Sequence, residues 1–491
     1  MRTNSIIGLI IFVVLLFLLI VLKSSNTSKP NLLIIFPDQM RAQAMGFINQ
    51  DPVITPNLDR FAKESIVFTQ AVSNYPLCSP FRAMFLTGKY PFNNGVNQNC
   101  YDKTAKSNVE LKTDETCWSD ILKENNYDLG YIGKWHLDAP QEPYLDCKNN
   151  VGENKWNEWC PPERRHGFDF WYAYGTYDYH TKPLYWKIDA KRDDFHFVDE
   201  WGPIHEADMA IKYLENNDGT FRDNDKPFAL VVAMNPPHDD GEGYFEEVPQ
   251  KYVDMYGDLT YKELSNRKNV VAEGGENSKL FREGIKGYFA MVTGVDDQFG
   301  RILETLERND LDKNTIVLFL SDHGELLGSH DLRGKSYWYE ESMRIPLIIR
   351  YPEKIKPRHD DLLISVPDIF PTFLSILGLQ HQIPNDVMGT DFSDYLYTGK
   401  GNKPSSQIYM FVDDIYKPKL GKRGARTKEF TFAITKNEDE EKKYLFDNIN
   451  DPFQLNNIAD SNSVLVDDML VELKSWQIKL NDPWIKGKAT N

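Results

Sequence analysis

Four short apolar runs stand out along a polar chain: Asn31-Leu-Leu-Ile-Ile-Phe36, Pro227-Phe-Ala-Leu-Val-Val-Ala233, Thr315-Ile-Val-Leu-Phe-Leu320 and Ile345-Pro-Leu-Ile-Ile-Arg350. They are continuous rather than alternating. A strand covered on both faces reads this way, because neither side has to meet water. Between them, apolar residues recur at helical spacing over 58–65, 118–125, 206–216 and, at length, 281–308. Strands alternating with helices predict an α/β fold, a large, mainly parallel sheet sandwiched by helices. The pattern changes after the polar connection Tyr397-Thr-Gly-Lys-Gly-Asn-Lys-Pro404. Strand-like pieces over 407–412, 430–435 and 443–446, then a helix over 464–480, predict a smaller C-terminal α+β subdomain. The expected organisation is an N-terminal segment over 1–30, a main domain over 31–397 and a subdomain over 398–491.

One further run is different in kind. Residues 6–22 are apolar without a charge, with Arg2 before and Lys23 after. As a helix this segment would reach about 25 Å, at the short end of what spans a bilayer. No Ala-x-Ala-like site follows, only Lys23-Ser24-Ser25-Asn26, so an uncleaved membrane anchor is favoured over a cleaved signal peptide. Either reading makes the chain membrane-anchored and single-pass, or secreted, with the rest of it outside the cytosol. In such a compartment the five cysteines call for pairing with one left over. The shortest loops are closed by Cys100–Cys117 and Cys147–Cys160, one of three possible connectivities, and Cys78 stays apart.

Charge narrows the partners. Lys and Arg total 56 against 73 Asp and Glu, so a nucleic-acid partner, which needs a basic footprint, is not expected. A local basic cleft for a small anion remains compatible with that balance. The 13% aromatic content excludes a disordered chain.

In open α/β sheets, sites gather beyond the carboxyl ends of the strands. Three of the runs lead into ionisable residues there: Asp38, His238 after Asn235-Pro-Pro, and Asp322-His323. A fourth cluster lies in Pro76-Leu-Cys78-Ser79-Pro80-Phe81-Arg82. Ser79 suits an N-cap and Pro80 a first helical position, which puts Cys78 at a helix entrance where N–H groups favour an anion. Arg82, one turn on, offers a fixed positive fork.

These segments occur together with Pro37-Asp38-Gln39, Thr55-Pro-Asn-Leu-Asp59, Gly133-Lys134-Trp135-His136-Leu137, Ser321-Asp322-His323-Gly324-Glu325 and Gly334-Lys335. Val366-Pro-Asp-Ile-Phe-Pro-Thr372 and Tyr444-Leu-Phe-Asp-Asn-Ile-Asn-Asp-Pro452 follow. In this order and spacing the chain resembles the type I sulfatases of the alkaline phosphatase superfamily from about residue 31 to 460. The resemblance implies an alkaline phosphatase-like fold and sulfate ester hydrolysis, with sulfated carbohydrate or a sulfated small molecule as substrate. It implies that Cys78 becomes formylglycine through a formylglycine-generating enzyme. It assigns Asp38, Gln39, Asp322 and His323 to one divalent metal ion, Ca2+ first, with Mg2+ or Mn2+ as alternatives. Arg82, Lys134 and Lys335 are assigned to charge stabilisation, His136 to the neighbourhood of the formylglycine and His238 to general acid catalysis.

Two departures qualify the match. Asp38-Gln39 stands where many sulfatases have two aspartates, a form closer to choline sulfatases and phosphonate monoester hydrolases. Phe81 stands where the family usually has a small residue. The alternatives are therefore a phosphonate or phosphate ester hydrolase using the same site, and an inactive binding protein on this scaffold. Trp156, Trp159, Trp171, Tyr172, Tyr174 and Trp186 either stack on sugar rings or form a subcore under a long loop.

Overall fold

The computed structural model describes residues 29–485 except 242–243, 266, 271–273 and 276–277. The apolar segment 6–22 lies outside the described residues. Among those described, no helix is long and apolar enough to cross a membrane.

The main sheet has ten strands: β1 (Asn31–Pro37), β2 (Ile66–Phe68), β3 (Asp128–Lys134), β4 (Phe170–Tyr174), β5 (Leu184–Lys187), β6 (His196–Phe197), β7 (Phe228–Met234), β8 (Thr315–Leu320), β9 (Leu347–Arg350) and β10 (Arg358–Asp360). Their spatial order is β10-β2-β9-β8-β1-β7-β3-β4-β5-β6. The five central strands, β8 to β4, run parallel. The run at 345–350 becomes β9, which pairs antiparallel with both β8 and β2. Ile34 sits between Val231 and Leu318 in register. Its neighbours alternate between two cores, Leu32, Ile34 and Phe36 on one face and Leu33 and Ile35 on the other. Each such side chain contributes about 1.5–3 kcal/mol by leaving water, which is why β1 is apolar from Leu32 to Pro37.

Helices cover both faces. The first core includes α1 (Cys78–Thr87) and α4 (Val366–Ile376), and the second includes α2 (Gly202–Glu215) and α3 (Ser278–Arg308). The C-terminal region forms an antiparallel sheet in sequence order, β11 (Gln407–Phe411), β12 (Gly421–Arg426), β13 (Phe430–Lys436) and β14 (Glu441–Asp447), followed by α5 (Ser463–Leu480). This sheet holds the chain that leads to Cys78: Asn74 Nδ2 donates to Ile408 O at 2.9 Å and Val412 N to Tyr75 Oη at 2.9 Å.

The expected disulfides are not formed, and all five cysteines are free, buried thiols. Cys147 and Cys160 pack into cores on opposite faces of the sheet. Cys117 caps the helix Trp118–Glu124, while Cys100 lies behind Cys78, its N–H bound to Ser79 Oγ. Short sequence spacing misleads here because the intervening chain crosses the fold.

Candidate active site

Parallel strands deliver their ends to one edge, so residues almost 300 positions apart meet. Asp38 and Gln39 follow β1, Lys134 ends β3, Asn235 and His238 follow β7, and Asp322 and His323 follow β8. Gln39 and His136 both adopt left-handed backbone, φ 71° and 52°, a strained choice for such residues that accompanies the turn away from the sheet. Gln39 N and His323 N both donate to Asp322 Oδ1 at 2.8 Å. Gly324 has to be glycine, since a Cβ would lie 1.8 Å from Glu341 O.

Helix α1 starts at Cys78, two residues before the expected Pro80, with Leu77 as its N-cap and no side-chain cap. Ser79 instead donates its hydroxyl to His136 O at 2.7 Å, tying the helix entrance to the end of β3. Phe81 points away from the site into the core, with its ring 5.9 Å from Phe36 and stacked on Phe85. The bulky residue therefore has a place.

Cys78 Sγ lies 3.4 Å from His323 Nε2, 3.4 Å from Lys335 Nζ and 3.7 Å from Asp38 Oδ1. Burial and the Asp38 charge push this thiol up to about 11, so as plain cysteine it stays protonated. Asp38 Oδ2 receives Lys134 Nζ at 2.8 Å and Arg82 Nη2 at 3.1 Å. Burial would raise this carboxyl, but Lys134, His238, Lys335 and His323 hold it well below its usual value. Lys335 Nζ donates to Gln39 Oε1 at 2.6 Å and sits 3.1 Å from His238 Nε2. Burial lowers the His238 pKa, helped by Lys335 and Lys134 and opposed by Asp178 and Asp239. His136 lines the same cavity, but its Nε2 faces Cys100 O at 3.2 Å and its Nδ1 has no partner among the described residues.

The donor set fits a hard divalent cation. One ligand atom each from Asp38, Cys78, Asp322 and His323 lie within 4.8 Å of one another. Asp322 Oδ2 is buried without a hydrogen-bond partner among the described residues, with His323 Nε2 and Arg82 Nη2 standing off at 3.5 and 4.0 Å. Burial and the Asp38 charge push Asp322 up to about 8, the strain of two carboxylates sharing a dry site. A cation between them would relieve it.

The sequence did not single out Asp178. Asn235 Nδ2 donates to Asp178 Oδ1 at 3.0 Å, Asn235 Oδ1 accepts from Lys134 Nζ at 2.9 Å, and His238 Nδ1 lies 3.6 Å from Asp178 Oδ1. Burial opposes its ionisation, but His238, Lys134 and Asn235 keep its pKa low. Its one sequence signal was position, four residues past an aromatic strand. The site opens into a cavity of about 680 Å3 whose outer wall includes Lys148, Trp156, Tyr179 and Arg333. Of the six aromatics, only Trp156 lines it. Trp171, Tyr172, Tyr174 and Trp186 are core residues, and Trp159 lines a different depression.

The sulfatase family model matches residues 30–379. The chain belongs to the sulfatase family. It is accordingly a sulfuric ester hydrolase, and the model for the N-sulphoglucosamine sulphohydrolase C-terminal region matches residues 328–479 of this sulfatase. It is 40% identical to an endo-4-O-sulfatase of Bacteroides thetaiotaomicron over 95% of each chain. It is 34% identical to an ulvan-active sulfatase of Formosa agariphila, over 89% of this chain and 78% of that one. Among solved structures, a Bacteroides thetaiotaomicron 4S-sulfatase from a glycosaminoglycan locus superposes with a TM-score of 0.84 at 39% identity, covering 93% of this chain and 98% of that one.

Proposed function

We propose that this sulfatase removes sulfate from a carbohydrate, using a formylglycine derived from Cys78. The observation that carries the reading is the convergence of Asp38, Arg82, Lys134, His238, His323 and Lys335 around one buried Cys78 at the floor of a cavity wide enough for a sugar. The relatives named for carbohydrate sulfates support the substrate class.

Hydrated formylglycine carries two hydroxyls on one carbon. One attacks sulfur and displaces the sugar alcohol. The other then loses its proton and expels sulfate, restoring the aldehyde. Arg82, Lys134 and Lys335 present fixed positive charge to the oxyanion. His238 donates the proton to the leaving oxygen, an imidazole placed by Asp178 and the Lys134–Asn235 link. A divalent cation held by Asp38, Gln39, Asp322 and His323, Ca2+ in our reading, would lower the pKa of the attacking hydroxyl and offset the sulfate charge. Formylglycine-generating enzyme is the partner this scheme requires. The apolar 6–22 segment supports an exported chain tethered at its N terminus; recovery of the full-length chain in the cytosolic fraction would contradict this.

The test is turnover against a panel of sulfated saccharides, an aryl sulfate and a phosphonate monoester, using protein whose Cys78 peptide carries the aldehyde by mass spectrometry. Preference for a sulfated saccharide is expected. Preference for the phosphonate would move the assignment to the reaction suggested by Asp38-Gln39, because phosphorus and sulfur centres present similar tetrahedral oxyanions. No turnover of any substrate by aldehyde-bearing protein would leave a binding protein.

A further inference from the structure

Away from the catalytic cavity, a second cavity of about 290 Å3 opens where the C-terminal sheet meets the main sheet. Arg267, Arg344, Arg426 and Lys428 line it against one lining carboxylate, Glu340. Arg426 Nε and Nη2 donate to the two Glu340 oxygens at 2.7 and 3.0 Å. Arg267 is bound by Glu341 behind the wall, and Lys428 by Asp361. Arg344 Nη2 donates to the neutral Gln50 Oε1 at 2.7 Å, and its nearest carboxylate is Glu340 Oε2 at 3.7 Å from Nε, already held by Arg426. Burial lowers its pKa, and the Arg426 and Arg267 charges lower it further, the mark of a cation short of counter-charge.

Donors are in surplus as well. Arg344 Nε, Arg426 Nη1 and Asn448 Nδ2 are buried without an acceptor among the described residues, and Arg426 is only 1% exposed. Buried donors without acceptors are costly, most of all when charged. Among the described residues, the one unpartnered acceptor on this wall, Gln43 Oε1, belongs to an amide whose ends exchange by a flip. Guanidinium and amide donors with excess positive charge suit a ligand made only of acceptors.

We propose that this cavity is a second anion site that takes a sulfate group, either free product sulfate or a sulfate on another residue of the substrate chain. Arg426 ends β12 and Arg344 lies in the segment that leads into β9, so the anion would bridge the C-terminal sheet to the main domain. The wall segment that carries Glu340 and Arg344 also touches the catalytic edge, where Gly324 N donates to Ser342 O at 2.9 Å.

Selenate, a heavy isostere of sulfate, provides the test. Crystals of the full chain soaked in selenate should show an anomalous peak between Arg344 and Arg426, whatever the catalytic cavity holds. Asn448→Asp fills the cavity with its own carboxylate at almost unchanged shape and should abolish that peak. Arg344→Gln should weaken sulfate binding there about tenfold, the loss expected for one charge-assisted hydrogen bond. Both variants should fold and turn over a singly sulfated aryl ester, which offers no second sulfate, at the wild-type rate, with a smaller sulfate-dependent rise in Tm. Wild-type crystals without the peak, Asn448→Asp crystals that keep it, or unweakened sulfate binding by Arg344→Gln overturn the proposal. Displacement of selenate by a sulfated oligosaccharide would identify the substrate chain as the source, and resistance to displacement would identify free sulfate.

Discussion

Arg423 with Asp482, and Arg82 with Asp38, are both ion pairs buried to 2% exposure or less, yet they are built to opposite ends. Arg423 Nε donates to Asp482 Oδ2 at 2.6 Å, Nη1 to Phe411 O and Lys422 O, and Nη2 to Pro418 O. Every guanidinium nitrogen is used, and the pair joins β12 to the end of α5. Around Arg82 and Asp38 the ledger stays open: Arg82 Nε, Asp322 Oδ2 and His136 Nδ1 have no partner among the described residues. A closed buried network holds a fold together. An open one, where desolvation has been incurred without full compensation, marks where a ligand completes the structure.

The contrast can be broken from either side. The largest effect is expected at the open end. Cys78→Ser should lower steady-state turnover by on the order of 10⁴ or more while leaving Tm within about a degree, because a serine sulfate ester has no second hydroxyl to expel sulfate. A single-turnover burst with trapped sulfoserine is the accompanying signature, and full turnover would refute the mechanism. At the closed end the reverse holds. Asp482→Ala should cost about 3–5 kcal/mol in urea unfolding by stranding Arg423, yet leave kcat of the folded fraction unchanged.

Glu206 tests an intermediate case. It is fully buried, accepts from Tyr185 and Tyr174 hydroxyls at 3.1 and 3.3 Å, and leaves Oε2 unpartnered among the described residues. Burial outweighs those hydrogen bonds and raises its pKa to about 8. The folded state therefore keeps a proton that the unfolded state loses near pH 4.5. Its contribution to stability is present at low pH and is lost as pH rises from there through about 8. Stability should fall by about 2 kcal/mol from this group between pH 5 and 7, and Glu206→Gln should flatten that slope in urea titrations. A slope that persists in the variant would assign it elsewhere.

The smallest expected effect is at Asp178. Asp178→Asn removes the anion that favours the charged form of His238, so the alkaline limb of the kcat profile should move to lower pH. At pH 7.5 kcat should fall about tenfold. An unchanged profile would reduce Asp178 to a purely structural role.

What the sequence disclosed follows the same division. β1, β7 and β8 were legible because strands buried on both faces are unbroken apolar runs. β3, which carries Lys134, was not, because Asp128-Leu-Gly-Tyr-Ile-Gly-Lys134 holds two glycines. Both answer to close packing: a Cβ on Gly130 would meet Leu230 at 2.8 Å, and one on Gly133 would meet Ala233 O at 2.2 Å. β12 was missed for the same reason, with Arg423 and Arg426 buried where a polar stretch suggested a loop. Asp38, Cys78, Arg82, Lys134, His238, Asp322, His323 and Lys335 stood out as candidates because each lies in a short local motif. Asp178 and the second cavity depend on juxtapositions across 57 and 86 positions, which no local pattern encodes.

The concealment of Cys78 has a consequence for how the enzyme is made. Once folded, the residue is 1% exposed, at a helix entrance closed over by segments that arrive as late as Lys335 and the C-terminal sheet. On the proposed role of Cys78, an oxidising enzyme has no access to this thiol through the finished fold. Conversion to the aldehyde would then belong to the nascent chain, in the interval before the sheet closes. Chains that fold first would be well-formed and permanently silent, so specific activity in any preparation would report the history of synthesis as much as the quality of the protein.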